Sequence, residues 1–484
     1  MAVVHQVKSA FVWSALERFV QQGVQLAIGV LLARLLSPAD FGVVGMLSVF
    51  FATASACAET GFGSALVQRS QLSEDDTTSC FYLNIAAGVV FAGLLCLVSP
   101  LAASFYETPI LQPMLCALSL QLVFASFWIV QDALRSRALD FRTLALVSWI
   151  ATLVAGATAI GLAWARWGVW SLVAMAVIRS LMGTLLLYMY RPWWPRGQFR
   201  WSVIRSFLPF SSRMLLVGLL EALFRNLHTV VIGKLYSPAE LGYFTRAQQF
   251  AETPSQSLTA VVARVSFPYF SRIKDDRNTV RMRLRQFIRL TATVHFPLMV
   301  AMAAVAPSLV PALLTDKWVG CIHLLQVLSL VGLLYPLHAF HVRMLSALGR
   351  NDLLLRVDII KRVVFIFALV VTAPLGVFHM TVGLFVGSCV AYWINSYYSR
   401  RLLDYSWPQQ IQDILPMLIT AVTIALPVYA LNELPCEDPW IRLGFQAAAT
   451  LGVFLSLLII FRRTWFLDAL QALSSLPRCP RWVR

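Results

Sequence analysis

The chain has 484 residues, of which 59% are apolar, 12% aromatic and only 13% charged, and its mean hydropathy is +0.72. Soluble domains carry roughly a quarter charged residues, so this composition excludes a water-soluble enzyme and predicts a membrane protein. The 39 Lys and Arg residues outnumber the 23 Asp and Glu residues and give a net charge of +16. In a membrane protein such an excess belongs in cytoplasmic loops, so we expect no nucleic-acid partner.

Long apolar runs follow one another along most of the chain. A bilayer core of about 30 Å needs about 20 apolar residues per helix, so the runs predict an all-α polytopic membrane protein with about fourteen transmembrane helices. The longest polar stretch between runs covers only residues 271–289, which leaves no room for a large extramembrane domain. The predicted spans are 10–36, 41–66, 80–104, 110–131, 143–165, 167–190, 208–235, 239–268, 288–314, 321–346, 357–378, 380–399, 412–431 and 441–461.

The basic residues are distributed unevenly between alternate loops. Twenty-seven Lys and Arg residues fall in one set of loops and termini, and five fall in the opposite set. Because cytoplasmic loops retain positive charge, this asymmetry predicts that both termini are cytoplasmic. Seven further arginines lie inside predicted spans and need a separate explanation.

An internal repeat occurs at an offset of 200 residues. The segment VLLARLLSPADFG at 30–42 aligns without gaps on VVIGKLYSPAELG at 230–242. In each copy Ser is followed by Pro and, three residues on, by an acidic residue, which predicts a helix that starts with a capping box. Six predicted spans separate the copies, so the two halves share one orientation and are expected to enclose a cleft. We predict a six-helix lobe over 1–200, a second six-helix lobe over 201–402, and two additional helices with a basic cytoplasmic tail over 403–484.

Polar side chains recur at helical spacing in the first helices of both halves. Charged groups at bilayer depth cost at least about 2.5 kcal/mol each, so they usually face a bundle interior or a water-filled cavity. These stripes therefore predict a hydrated cationic cleft between the halves. The predicted substrate-binding residues are Arg18, Gln22, Gln25, Arg213, Arg225, Arg246, Gln249 and Arg264.

A cationic cleft suits an anionic substrate, and the planar guanidinium of Arg can bind two phosphate oxygens at once. The alternative is that the arginines pair with acidic residues and only order the bundle. The same acidic residues are the candidates for ion or proton coupling: Glu17, Glu59, Glu221 and Glu252. The sequence contains no catalytic motif and no metal-ligand spacing, so we predict a secondary transporter that is not an enzyme, without catalytic residues or metal.

Four segments resemble a known family. They are WSALERFVQQGVQLAIGVLLARLLSPADFGVVGM at 13–46, ETGFGSALVQR at 59–69, RVSFPYFSRIKDD at 264–276 and DKWVGCIHLLQVLSLVGLL at 316–334. They are similar to polysaccharide exporters of the multidrug/oligosaccharidyl-lipid/polysaccharide superfamily, above all to its Wzx branch, which is colanic-acid-exporter-like and serves lipopolysaccharide biosynthesis.

The resemblance implies a V-shaped, alternating-access flippase in the bacterial inner membrane. Its cargo would be undecaprenyl-pyrophosphate-linked oligosaccharide repeat units for exopolysaccharide, capsule or O-antigen. Expected partners are this lipid-linked substrate and membrane lipids, with a polysaccharide polymerase and a chain-length regulator as further candidates. We expect no cofactor, and coupling to the membrane potential, H⁺ or Na⁺. Two other functions remain open, a drug or cation antiporter of the same superfamily and a membrane glycan ligase or polymerase.

Overall fold

The computed structural model describes residues 2–58, 63, 66–67, 69, 72–433 and 438–460. Within these ranges it describes all side chains except those of 2–12, 14–15, 208–210, 213, 261, 264–265, 351 and 455–460. Every long regular element in the described ranges is an α-helix, which confirms the predicted fold class.

Among the described residues, the first half of the chain contains eight helices. They are α1 (Ala2–Leu35), α2 (Pro38–Ala58), α3 (Glu74–Phe105), α4 (Leu111–Arg137), α5 (Phe141–Trp164), α6 (Trp170–Tyr190), α7 (Trp201–Arg225) and α8 (Leu227–Leu235). The second half contains α9 (Pro238–Ile273), α10 (Arg277–Leu314), α11 (Cys321–Leu333), α12 (Tyr335–Ala347), α13 (Asn351–Thr372), α14 (Val377–Leu403), α15 (Trp407–Ala430) and α16 (Pro439–Ile460).

A helix, or a pair of consecutive helices, lies at each of the fourteen predicted spans. Among the described residues, nine helices are long and apolar enough to cross a bilayer, or ten if α7 and α8 form one bent span. The helices α1, α9 and α13, which carry charged or amide side chains along their length, are not among the nine. The chain is therefore a multi-pass membrane protein.

Two predicted spans are broken into consecutive helices. The span predicted at 208–235 is interrupted at Asn226, where α7 and α8 meet at an angle of 41°. The span predicted at 321–346 divides at Leu334, directly before α12. Pro336 stands in the first turn of α12, and because proline has no N–H it cannot continue the hydrogen-bond ladder from the preceding turn.

The polar stretch 271–289, predicted as a loop, is mostly helical, so that prediction was wrong. Asp276 caps α10 because its carboxylate accepts hydrogen bonds from the backbone N–H groups of Asn278 at 3.0 Å and Thr279 at 3.1 Å. The helix therefore begins at Arg277, eleven residues before the predicted span. The basic residues that follow belong to a helix face, where they can reach neighbouring helices.

Both repeat copies form the predicted capped turn. In the first, the Asp40 carboxylate accepts from the Ser37 backbone N–H at 2.9 Å, and the Ser37 Oγ accepts from the Asp40 N–H at 3.3 Å. In the second, Glu240 accepts from the Ser237 N–H at 3.1 Å, and Ser237 Oγ accepts from the Glu240 N–H at 3.3 Å. The local interpretation of the repeat is confirmed, because two reciprocal bonds satisfy the first N–H groups of each helix.

The helices form two compact units, Met1–Gly242 and Tyr243–Pro480. In the first unit α3 packs on α4, α5 packs on α6, and α1 lies along α5. In the second unit α10 is the central helix and contacts α11, α15 and α16. Its core includes the stacked rings of Phe287 and Phe340, whose centroids are 5.8 Å apart.

Candidate functional site

A cavity of about 970 Å³ lies inside the first unit, between α2, α4 and α7. Most of its described lining is apolar or small. The polar and aromatic side chains that line it are Phe51, Ser55, Ser126, Trp128, Asp132, Glu221, Arg225 and Asn226. A mostly apolar pocket of this size with a few convergent polar groups has the character of a ligand site.

The break between α7 and α8 positions the polar side chains on one wall of this cavity. Arg225 is the last residue of α7, and Asn226 follows it at the break. The Asn226 amide donates to the Ala222 carbonyl oxygen at 2.8 Å, so it partly replaces the helical bonds lost there. Broken helices inside membranes occur where the backbone is buried in protein or lines a cavity. This break therefore sets a cationic and an amide side chain at the cavity wall.

The opposite wall includes a tryptophan and a carboxylate one helical turn apart on α4. Trp128 and Asp132 both line the cavity. The indole also packs against the cluster of Leu144, Val147 and Leu187 from α5 and α6. Sequence analysis missed both residues, since Asp132 falls directly after the predicted span 110–131 and Trp128 is one of fifteen tryptophans.

Of the predicted site residues in the first unit, Glu221 and Arg225 line the cavity. The half-buried Arg18, Gln22 and Gln25 of α1 are not among its described lining.

The contacts of Gln21, on the same helix, explain why the polar stripe of α1 lies away from the cavity. Gln21 of α1 donates to Thr152 Oγ1 of α5 at 2.7 Å and accepts from Ser148 at 3.3 Å. The polar stripe of α1 is thus engaged in part by α5. Glu17 nevertheless lies near enough to Asp132 for their charges to interact.

In the second unit, the predicted residues of α9 contact one another along the helix. Arg246 is buried, with 7% of its surface exposed, and its Nη1 donates to Gln249 Oε1 at 2.5 Å. Glu252 accepts from the amide of Gln248 at 2.6 Å and also from that of Gln256. These contacts fix the orientation of Gln249 and Glu252 within the stripe. The side chains of Arg213 and Arg264, and residue Glu59 as a whole, lie outside the described part of the chain.

A second charged centre, not predicted from the sequence, joins α10 to α15. Asp413 has no exposed side-chain surface and accepts from Arg285 Nε at 2.7 Å, from Arg289 Nε at 2.9 Å and from the Tyr405 hydroxyl at 2.7 Å. The arginines had been assigned to a cytoplasmic loop. Because the carboxylate satisfies two cations and a phenol at once, this centre ties α15 to the central helix of its unit.

Comparison with known proteins identifies the family. The profile of a family described as polysaccharide biosynthesis protein matches residues 31–323. The chain belongs to this family. It is 26% identical over 444 residues to the lipopolysaccharide biosynthesis protein WzxC of Escherichia coli K12, with 89% of each chain covered. It is also 26% identical over 467 residues to the teichuronic acid biosynthesis protein TuaB of Bacillus subtilis 168, covering 95% of this chain and 96% of TuaB.

Solved structures share the fold at low sequence identity. The lipid II flippase MurJ in an inward closed conformation matches 93% of this chain and 99% of its own with a TM-score of 0.75 and 15% identity. An inward-facing multidrug MATE transporter of the MOP superfamily matches 81% of this chain and 99% of its own with a TM-score of 0.56 and 16% identity. The predicted resemblance to superfamily polysaccharide exporters is therefore confirmed, and the fold is that of MurJ and MATE transporters.

Proposed function

We propose that this protein flips undecaprenyl-pyrophosphate-linked oligosaccharide repeat units across the bacterial inner membrane, by alternating access, for surface polysaccharide synthesis. The observation that carries the proposal is the family match over residues 31–323. Relatives along most of the chain are named for lipopolysaccharide, teichuronic acid and, in ExoT of Rhizobium meliloti, succinoglycan biosynthesis transport. All three names refer to the synthesis of a saccharide polymer, which supports a saccharide cargo for this chain.

The charges in the helices suit this cargo. A pyrophosphate is bound best by guanidinium groups, each of which can donate two parallel hydrogen bonds. Arg225 lines the cavity of the first unit, and Arg246 is buried in the second. In this proposal these two and Arg18, Arg213 and Arg264 hold the pyrophosphate at successive stages, while Gln22, Gln25 and Gln249 face the glycan.

The membrane potential can drive the movement. A pyrophosphate carries about two negative charges, and outward movement of each gains about 2.3 kcal/mol per 100 mV when the inside is negative. No cofactor is then required. Any coupling to H⁺ or Na⁺ is assigned to Glu17, Glu59, Glu221 or Glu252, of which Glu221 lines the cavity.

In this proposal the protein acts as a transporter and not as an enzyme, with both termini in the cytoplasm. Its further partners are the polymerase and the chain-length regulator that receive the exported unit, and it has no nucleic-acid partner. The excess of Lys and Arg in alternate loops supports this orientation.

A drug or cation antiporter is the second candidate, and one observation favours it. Two carboxylates, Asp132 and Glu221, line the cavity beside the single described arginine, Arg225. A cationic substrate would be attracted to such carboxylates. The family match favours the saccharide cargo, and the two functions predict different phenotypes.

Deletion of the gene tests the proposal. We expect lipid-linked oligosaccharide to accumulate on the cytoplasmic leaflet while surface polysaccharide disappears. Complementation with Arg225→Ala should fail. Arg225→Lys should restore export in part, because lysine keeps the positive charge but lacks the planar guanidinium that donates two parallel hydrogen bonds. Arg205→Ala, an exposed position on the same helix, is the matched control and should restore export fully. Intact surface polysaccharide with altered drug sensitivity would instead establish the antiporter.

A further inference from the structure

The indole of Trp128 is held on two sides and lines the cavity of the first unit. On one side it packs against the cluster of Leu144, Val147 and Leu187 from α5 and α6. Its benzene edge lies against Gly183 of α6, where an added Cβ would stand 3.7 Å from both Cε3 and Cζ3. A tryptophan fixed in this way offers a rigid aromatic surface, so little side-chain freedom is lost when a ligand packs on it.

The groups near this surface are hydrogen-bond acceptors and amides. Asp132 lines the cavity, and an ionised carboxylate has about four lone-pair sites, so it can accept hydrogen bonds from ligand hydroxyls. Asn226 and Ser55 line the same cavity and can both donate and accept. An aromatic face beside acceptors suits a pyranose ring, which has an apolar C–H face and a rim of hydroxyls.

The same cavity also contains Arg225. A bare lipid phosphate would need only the arginine. A ligand with an anionic phosphate attached to a neutral sugar uses both kinds of group. The volume of about 970 Å³ lies at the upper end of the range for small-ligand pockets, which leaves room for more than the phosphate.

We propose that Trp128 is the stacking platform for a sugar ring of the lipid-linked saccharide, and that Asp132 accepts hydroxyl groups of the same ring. This inference rests on the proposed function, since it assigns the glycan end of the cargo to the Trp128 wall of the cavity. Trp128 and Asp132 then recognise the glycan, while Arg225 recognises the pyrophosphate.

Binding of two probes to the purified full-length protein in nanodiscs tests the assignment. One probe is bare undecaprenyl pyrophosphate, and the other is the pool of undecaprenyl-pyrophosphate-linked glycans extracted from the strain that carries the gene. We expect Trp128→Ala to weaken binding of the glycan-linked probe about tenfold and to leave the bare probe unchanged. Trp128→Phe should keep most of the affinity. Trp164→Ala, an 82% exposed position at the end of α5, is the matched control and should change neither.

Asp132→Asn provides a second variant of nearly unchanged shape and should also weaken only the glycan-linked probe. Arg225→Ala should weaken both probes. If Trp128→Ala and Asp132→Asn weaken the binding of both probes equally, or of neither probe, the proposed sugar platform is overturned. Equal binding of both probes by the wild-type protein would overturn it too and leave the flippase proposal standing. Failure of the wild-type protein to bind either probe would overturn the proposed function itself.

Discussion

Gly42 packs directly against the backbone of Pro238, so closely that a Cβ atom on Gly42 would overlap the Pro238 carbonyl oxygen. The converse contact is also present, since a Cβ on Gly242 would overlap the carbonyl oxygen of Pro38. The two copies of the repeat therefore meet each other reciprocally within the first unit, and each glycine is required for close approach of the partner's helix start.

Alanine at either glycine should force these helix starts apart. We expect Gly42→Ala and Gly242→Ala each to reduce the free energy of unfolding by about 2 kcal/mol, because the obstacle is backbone and cannot rotate away. Thermal unfolding of the purified protein in detergent measures the effect.

Gly93→Ala is the control for these variants. No atom lies within 4 Å of the Cβ position of Gly93, which is in the helix α3. Alanine there should be neutral or slightly stabilising because glycine weakens a helix interior. Equal thermal stability of the Gly42→Ala and Gly93→Ala variants would contradict the close contact between Gly42 and Pro238.

A salt bridge connects the last turn of α8, in the second repeat copy, to the α3–α4 turn. Lys234 donates to Glu107 Oε1 at 2.8 Å, and this hydrogen bond holds the pKa of Glu107 below its ordinary value of 4.5. A carboxyl group whose pKa is lower in the folded state stabilises the fold at pH values above its unfolded-state pKa. This stabilisation is lost as the pH falls through the folded-state pKa.

Glu107→Gln should therefore be slightly less stable than the wild-type protein at pH 7, and the difference should vanish in strongly acidic buffer. Unfolding curves recorded from neutral to acidic pH test this, with the exposed Glu433→Gln as a control. A difference that persists or grows at acidic pH would show that the contact does not stabilise the charged carboxylate.

The Asp413 centre should contribute to the stability of the second unit. Asp413→Asn keeps the shape of the side chain but leaves Arg285 and Arg289 without their carboxylate, and we expect a loss of about 3 kcal/mol. Asp352→Asn breaks an exposed pair with Arg350 and should cost much less, because solvent screens the two charges. Comparable losses in chemical unfolding of the two variants would contradict this ranking.

Substitution of Glu221 should distinguish passive transport from transport that is coupled to an ion gradient. If Glu221 carries a coupling proton or Na⁺, then Glu221→Gln should still bind the lipid-linked substrate but should no longer respond to an imposed ion gradient. Glu74→Gln, an exposed position at the start of α3, serves as the control. If export by the Glu221 variant responds to ion gradients as the wild-type protein does, Glu221 is not the coupling residue. The membrane potential then remains as the driving force.

Helices and the capped repeat could be predicted because they depend on local patterns. Apolar runs gave the positions of the spans, and Ser, Pro and an acidic residue at fixed spacing were sufficient for the turns at Ser37 and Ser237. The helical start at Arg277 was missed because a basic segment was assigned to a loop, although Asp276 offers a cap.

The cavity depends on contacts between helices distant in sequence, which periodicity does not reveal. Asp132 lies just beyond the predicted span 110–131, and only the fold brings it near Glu221 and Arg225. The stripe on α1 was recognised, but Gln21 faces Thr152 instead of a cleft. Helical spacing identifies a common face and does not identify the neighbour of that face.

Reconstitution tests the central claim most directly. The purified protein would be placed in liposomes with undecaprenyl-pyrophosphate-linked glycans, and the fraction accessible from outside would be followed under an imposed membrane potential. We predict rapid movement between leaflets with the wild-type protein and with Arg205→Ala, and a rate at least about tenfold lower with Arg225→Ala, since a charge-assisted hydrogen bond contributes about 1.5 to 3 kcal/mol. Movement no faster than in protein-free liposomes would contradict the assignment of this protein as a flippase.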